Sequence, residues 1–369
     1  MKCNKRKDIS EVVARKVYAV DLFCGIGGLT HGLEKTGINV LSGIDLDPNC
    51  LYPYTANNKA EFRLESVENI STIDLEEIYP ARGIRLLAGC APCQTFSTYN
   101  RRARSTDKRW WLLKEFSRLI EGSLPDLVTM ENVPGVIEHR VFRDFLKTLE
   151  TKKYHIDYRI VDCAAYGIPQ HRSRLVLLAS RLGPIEIMPP SYFRTRSITV
   201  RKAIKHLPPI RAGQSCHKDR MHKSSTLSKT NLKRIKASLP GGSWRQWKRS
   251  LIADCHKKDS GRTYPGVYGR MEWDKPAPTI TTQFFGFGNG RFGHPTQNRA
   301  ISLREGAILQ SFPRRYKFVE PGKSIYVKTI GRLIGNAVPV KLGEVIGKSI
   351  QQHVAEISHG RTVAQKRRK

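Results

Sequence analysis

The segment Gly89-Cys90-Ala91-Pro92-Cys93-Gln94-Thr95-Phe96-Ser97 sets a thiol, Cys93, in a turn of small residues and one proline. The preceding run, Gly83 to Ala88, reads as the end of a buried strand, and open α/β sheets place ligands at the C-terminal edges of their strands. A cysteine there can act as a nucleophile. A carboxyl stands at a second such edge, where Met130-Glu131-Asn132-Val133-Pro134-Gly135-Val136 follows the strand-like run Leu127 to Met130. Walled by apolar residues, Glu131 can share or donate a proton, although an acid that merely caps a helix would look the same. In Gln170-His171-Arg172-Ser173-Arg174, an extended chain projects Gln170, Arg172 and Arg174 to one face. Two fixed guanidinium groups can grip a phosphate or a carbonyl oxygen, or simply line a solvated edge strand. His171, on the opposite face, is expected to be structural.

Asp21-Leu22-Phe23-Cys24-Gly25-Ile26-Gly27-Gly28 joins a strand to a helix. Its glycines allow close backbone approach to a ligand, and Asp45 ends the next strand, 20 residues beyond Gly25, where a carboxylate can hold ribose hydroxyls. A dinucleotide site is the obvious rival. However, its third glycine would fall at Thr30, and an acid just before the loop repels a pyrophosphate. Asp21 suits a cationic ligand such as S-adenosylmethionine better. Gly335-Asn336-Ala337-Val338-Pro339 suits a tight loop that closes a ligand pocket, or a plain helix entry.

These segments are positioned by an α/β alternation. Val17 to Leu22, Val40 to Asp45, Arg85 to Ala88, Leu127 to Met130, Tyr158 to Val161 and Leu175 to Leu178 read as strands. Helical spacing at Leu29 to Lys35, Trp110 to Ile120 and Phe142 to Leu149 separates several of them, the rhythm of a doubly wound, mostly parallel sheet. Prolines, glycines and basic residues take over from Arg181 to Arg299, which predicts a second, smaller, loop-rich domain. Helices return at Leu303 to Leu309 and Leu342 to Val354. The expected organisation is a basic N-terminal segment (1–15), a catalytic and cofactor-binding domain (16–185), a second domain (186–325), a returning C-terminal segment (326–358) and a basic tail (359–369).

With 64 Lys and Arg against 32 Asp and Glu, the 369-residue chain carries a formal charge of +32, which points to nucleic acid as its partner. No run of 18 apolar residues predicts a membrane span. The charged Met1 to Lys7 lacks the apolar stretch of a secretory signal. Eight scattered cysteines suggest a reducing, cytoplasmic setting. Cys90 and Cys93 have zinc-ligand spacing, but no second such element completes a site, so no metal is expected and Cys90 is read as packed at the strand end.

Taken together and in this order, Asp-Leu-Phe-x-Gly-x-Gly-Gly, Pro-Cys-Gln, Glu-Asn-Val, Gln-x-Arg-x-Arg and Gly-Asn-Ala-Val-Pro resemble the C5-cytosine DNA methyltransferase family of bacterial restriction-modification systems. The block Arg299 to Glu305, ending in Gln310-Ser311-Phe312-Pro313, matches as well, so the resemblance spans about residues 17 to 355. It implies the S-adenosylmethionine-dependent methyltransferase fold with a target-recognition domain, and double-stranded DNA as the partner of a monomer with no obligatory protein partner, associated with the nucleoid. It also implies roles. Cys93 attacks cytosine C6, positioned by Pro92. Glu131 holds the N3 edge, and Arg174, supported by Arg172, holds O2. Phe23 meets the cofactor adenine, Asp45 its ribose and Gly25, Gly27 and Gly28 its amino-acid part. Asp21, Leu46, Pro92 and Asn336 complete that site. Two positions depart from the family pattern: Ala91 stands where a second proline is usual, and Ser66, beside Glu65, falls where an acid normally approaches the adenine.

The target base would have to leave the helix to be reached. In the family the region between the Arg-x-Arg block and the Arg299 block reads the DNA. Trp244-Arg245-Gln246-Trp247-Lys248-Arg249 and Arg262-Thr263-Tyr264 mix cations, amides and aromatics there, types that serve base contacts, phosphate contacts or a core. RNA cytosine methylation is the alternative activity, disfavoured by the length of this region. A catalytically idle DNA-binding module is the alternative of another class, and it has no use for a thiol beside an acid.

Overall fold

The computed structural model describes residues 16–92, 111–193 and 196–366. Among the described residues seven strands form one sheet: β1 (Val17–Leu22), β2 (Asn39–Asp45), β3 (Glu61–Leu64), β4 (Ile84–Gly89), β5 (Leu127–Asn132), β6 (His155–Asp162) and β7 (Ser173–Ser180). Their order is β3-β2-β1-β4-β5-β7-β6. β1 to β5 pair in parallel, and β7 runs antiparallel to both β5 and β6. The expected mostly parallel sheet is therefore present, with an antiparallel edge. β3 is an addition to the sequence reading. It is a four-residue strand with no fully buried side chain, so it carries no apolar run to announce it.

Period-two alternation sorts the strand side chains into two layers. Leu86 and Ala88 of β4, with Val176 and Leu178 of β7, face the core shared with Leu342, Val345 and Ile346 of the last helix. Leu87, Leu175, Leu177 and Ala179 face the opposite core, which holds Phe116, Phe142 and Phe145. Those phenylalanines come from the helices Trp111–Ser123 and Arg140–Thr151, close to the expected positions. The sheet grows outward in both directions from β1 and β4, so the loops leaving these two strands open into one crevice, the ligand position of such sheets.

Between β7 and the helix Leu303–Leu309 the described residues add no strand to the sheet. Short helices and turns there enclose a third core around Ile280, Phe284, Phe312 and Ile334, and a small fourth one around Ile235, Trp244, Trp247 and Phe287. The final helix is longer at both ends than expected, Val340–Lys366. A further helix, Val327–Asn336, was not expected, although Ile330, Leu333 and Ile334 have helical spacing.

A buried ion pair anchors this half. Arg299 and Glu305 are 0% and 1% exposed and meet through Nη1–Oε2 and Nη2–Oε1 contacts of 2.6 and 2.8 Å. Oε2 also accepts from the backbone N–H of Ser302, closing a capping box. Burial alone would raise the Glu305 carboxyl, but the Arg299 hydrogen bonds and charge, then His294 and His222, hold it down at about 2. Replacing Glu305 by Gln strands the guanidinium in the core, and we expect a loss of about 3–5 kcal/mol in denaturant unfolding.

Candidate active site

The loop leaving β1 is built on left-handed backbone. Phe23 has φ 58°, Gly25 53° and Gly27 81°. A phenylalanine in this region costs on the order of 1 kcal/mol and persists only where its surroundings hold it. Here Cys24 N–H donates to Ile44 O at 3.2 Å and Gly27 N–H to Cys24 O at 2.9 Å, tying the loop to β2 and to itself. The glycines divide in purpose. A Cβ on Gly28 would sit 2.1 Å from Val338 O, so this residue lets the loop pack on the Gly335-to-Pro339 segment. A Cβ on Gly25 would meet none of the described residues within 4 Å, so none of them packs on that part of the loop.

Asp45 flanks this loop. Its Oδ2 accepts from Gly25 N–H at 2.8 Å and its Oδ1 from Asp47 N–H at 2.9 Å, leaving a lone pair on each oxygen for further donors. Burial raises its carboxyl above the usual range, opposed by these N–H donors. Leu46 is next to it and 70% exposed, an apolar side chain in a position suited to cover a flat ring. Asp47 in turn pairs with Arg332 at 2.7 Å.

Asp21 lies beneath, fully buried. Thr30 Oγ1 donates to its Oδ2 at 2.7 Å, whereas Oδ1 has no hydrogen-bond partner among the described residues. Desolvation, offset in part by Thr30, pushes its carboxyl up to about 7. Because the folded-state value exceeds that of the unfolded chain, this group stabilises the fold at low pH, and the contribution is lost as pH rises through about 7. Asp21→Asn should therefore gain on the wild type by roughly 2.5 kcal/mol between pH 5 and pH 8, read from urea midpoints without ligand. A pH-independent difference would contradict the assignment. An orphaned buried acid under an open, apolar-rimmed cradle fits a positively charged nucleoside ligand.

The second half of the crevice lies across β4, β5 and β7. Glu131, 3% exposed, sits at the end of β5. Because Glu131 pairs with Val176 in antiparallel register, Arg174, two residues before Val176, lies diagonal to it on the same face. Arg174 Nε stands 2.9 Å from Glu131 Oε1, an ion pair whose angle leaves Oε1 without a well-directed hydrogen bond. Arg172 does not point into the crevice alongside it. It is 3% exposed and donates to Ile280 O at 2.8 Å and Gly335 O at 3.2 Å, which makes it a brace for Arg174's strand. Burial, and then the Arg174 charge, push its guanidinium down to about 9, so it stays protonated at neutral pH. Gln170 is likewise buried, with Nε2 donating to Leu309 O and Gln310 Oε1. Asn336 is the exposed last residue of a helix rather than part of a free loop, one position after the carbonyl that Arg172 grips.

Pro92 is described and half-buried, but Cys93 lies outside the described residues. Its neighbour Cys90 makes a contact beyond the expected packing. Cys90 does pack against the core, yet its thiol also donates to Glu131 Oε2 at 2.9 Å. β4 pairs with β5 at Gly89 and Met130, and extending that register by one residue sets Cys90 beside Glu131. In the second half of the chain, Trp244 and Trp247 are core residues at 5% and 6% exposure, Trp244 stacking on His256 at 4.5 Å. Arg245, Lys248 and Arg249 are exposed around them.

The family model for C-5 cytosine-specific DNA methylase matches residues 17–352, which takes in the whole sheet and every element around the crevice. The chain belongs to that family. It is 52% identical over 336 residues to the type II methylase M.HgiDII of Herpetosiphon aurantiacus, covering 90% of this chain and 94% of that one. It is 32% identical to the type II methyltransferase M1.BsuMI of Bacillus subtilis, over 93% of this chain and 82% of the relative. Among solved structures, a protein assigned as a DNA modification methyltransferase, encoded within an E. coli prophage, superposes with a TM-score of 0.69 at 21% identity, over 91% of this chain and 99% of that one. That likeness supports the methyltransferase fold. As a C5-cytosine DNA methyltransferase, the chain has a use for an acid and an arginine fixed side by side at a strand edge. Among the described residues no helix is long and apolar enough to cross a membrane.

Proposed function

We propose that this protein transfers a methyl group from S-adenosylmethionine to C5 of a cytosine within a specific sequence of double-stranded DNA, as the modification enzyme of a restriction-modification system. The observation that carries the reading is the Glu131–Arg174 pair, held at 2.9 Å beside the turn that leads to Cys93. The cradle of Phe23, Gly25, Asp45 and Leu46 fits the nucleoside, and Asp21 beneath it fits the positive charge. Pro92 and Asn336 flank the same crevice. When bound, S-adenosylmethionine supplies a methyl group on a positively charged sulfur.

The protein's residues make cytosine reactive. C5 of cytosine is a poor nucleophile, so Cys93 adds as thiolate to C6 while Glu131 delivers a proton to N3. The C5–C6 π electrons then become available at C5, and Arg174 offsets charge on O2. C5 takes the methyl group as the bond from that methyl to its sulfur breaks, a base removes the C5 proton, and Cys93 leaves as thiolate while the C5–C6 double bond reforms and N3 returns its proton to Glu131. C6 is unreachable inside a duplex, so the base is flipped out at a cost of a few kcal/mol, offset by contacts to phosphates and neighbouring bases. The net charge of +32 supplies the phosphate contacts. Residues 186–325 read the target, with Arg245, Lys248 and Arg249 exposed on their surface. The protein acts as a monomer, on DNA in the cytoplasm.

Sequencing the DNA of a cell that expresses the protein, with detection of 5-methylcytosine, tests this reading. We expect methylation confined to one recurrent sequence. Unmethylated DNA together with methylated tRNA would replace it with the RNA activity.

A further inference from the structure

The carboxyl of Glu131 is held at both oxygens by groups of different character. Arg174 provides a charge at Oε1, and Cys90 provides a neutral thiol 2.9 Å from Oε2. The two come from opposite sides, since β4 and β7 flank β5 in the sheet. A carboxyl with one neighbour can rotate about its terminal bond, which is broad and weakly restrained. One gripped from both neighbouring strands cannot. The turn after β4 is tied to β5 at a second point, where Asn132 Nδ2 approaches Ala91 O at 3.5 Å, while Asn132 Oδ1 accepts from Val133 N–H. Among the described residues, the Cys90 thiol is the donor that reaches Oε2.

We propose that Cys90 is a positioning residue for the methylation reaction, its thiol holding Oε2 of Glu131 so that the carboxyl plane faces the N3 edge of the incoming cytosine. This rests on the reading of Glu131 given above. The choice of a thiol is chemically apt. A second arginine at Oε2 would hold that oxygen in a strong charge-assisted bond that does not yield to the base. A thiol is a weak donor that orients the carboxyl and gives way when the base offers its own N4–H. It also fills the strand-end space that Ala or Gly would leave empty.

The test measures the rate at which the protein becomes covalently attached to PCR-amplified bacterial genomic DNA containing 5-fluorocytosine, at saturating S-adenosylmethionine. Fluorine at C5 cannot leave as the proton does, so the adduct accumulates and is counted on a denaturing gel. Cys90→Ala, Cys90→Ser and Cys90→Val are compared with the wild type. Ser keeps a donor, and Val keeps the volume without one. We expect adduct formation to slow about 10-fold in the Ala and Val variants and to recover to within about 3-fold of wild type in the Ser variant, with KM for DNA and melting temperature unchanged in Val and Ser. An Ala or Val variant at the wild-type rate overturns the inference, as does a Ser variant as slow as Val. A wild-type protein that forms no adduct at all overturns the reading of the site itself and the inference with it. The two failures are therefore distinguishable.

Discussion

Replacing Cys93 by alanine is expected to abolish methyl transfer, a loss of at least about 10⁴-fold, while binding of S-adenosylmethionine and of DNA stays within about threefold of wild type. The size follows from the chemistry. Without addition at C6 there is no electron-rich C5, and neither Glu131 nor Arg174 supplies another route. The nucleophile is also separable from binding, because the cradle at Phe23, Gly25 and Asp45 belongs to the loop after β1 and to the end of β2, and the positive charge is spread over the chain. Filter binding with labelled DNA and transfer of a radiolabelled methyl group measure the two properties independently. Residual activity above about 1% of wild type would show that the thiol is not the nucleophile.

Glu131→Gln is expected to have the next largest effect, a fall in kcat of about 10²–10⁴-fold. Glutamine keeps the shape and can donate to N3 from its amide, so the base is still recognised. It has no proton to give up, so addition at C6 loses its driving step. The substitution also leaves Arg174, whose side chain is 12% exposed, without its ion pair beside the crevice. We therefore expect a stability loss of about 1–3 kcal/mol alongside the kinetic one. A variant that loses stability but retains kcat would make Glu131 a structural partner of Arg174 alone.

Much of this site was legible in the sequence because its residues sit at strand ends, and strand ends are set by short apolar runs. Asp21, Asp45, Glu131 and Arg174 fall where the runs Val17 to Leu22, Val40 to Asp45, Leu127 to Met130 and Leu175 to Leu178 place them. What the runs do not encode is strand order, and the pairing of Cys90 with Glu131 depends on β4 lying beside β5. Arg172 and Arg174 look equivalent in an extended segment. Packing of the Ile280 and Gly335 carbonyls against one of them makes it a brace and leaves the other facing Glu131. Trp244 and Trp247 lie among residue types that serve DNA contacts or a core, and burial places both in a core. β3 and the helix Val327–Asn336 were missed for opposite reasons. The strand lacks an apolar signal, whereas the helix has one that is overshadowed by the Gly335-Asn336-Ala337-Val338-Pro339 motif at its end.

In the proposed reaction one cysteine of eight, Cys93, forms a bond to cytosine in DNA. Digesting the covalent complex with 5-fluorocytosine DNA and locating the nucleotide by peptide mass spectrometry tests it most directly. We expect a single modified peptide carrying the nucleotide on Cys93. Attachment at Cys90 or any other residue, or methylated DNA with no covalent complex, would contradict it.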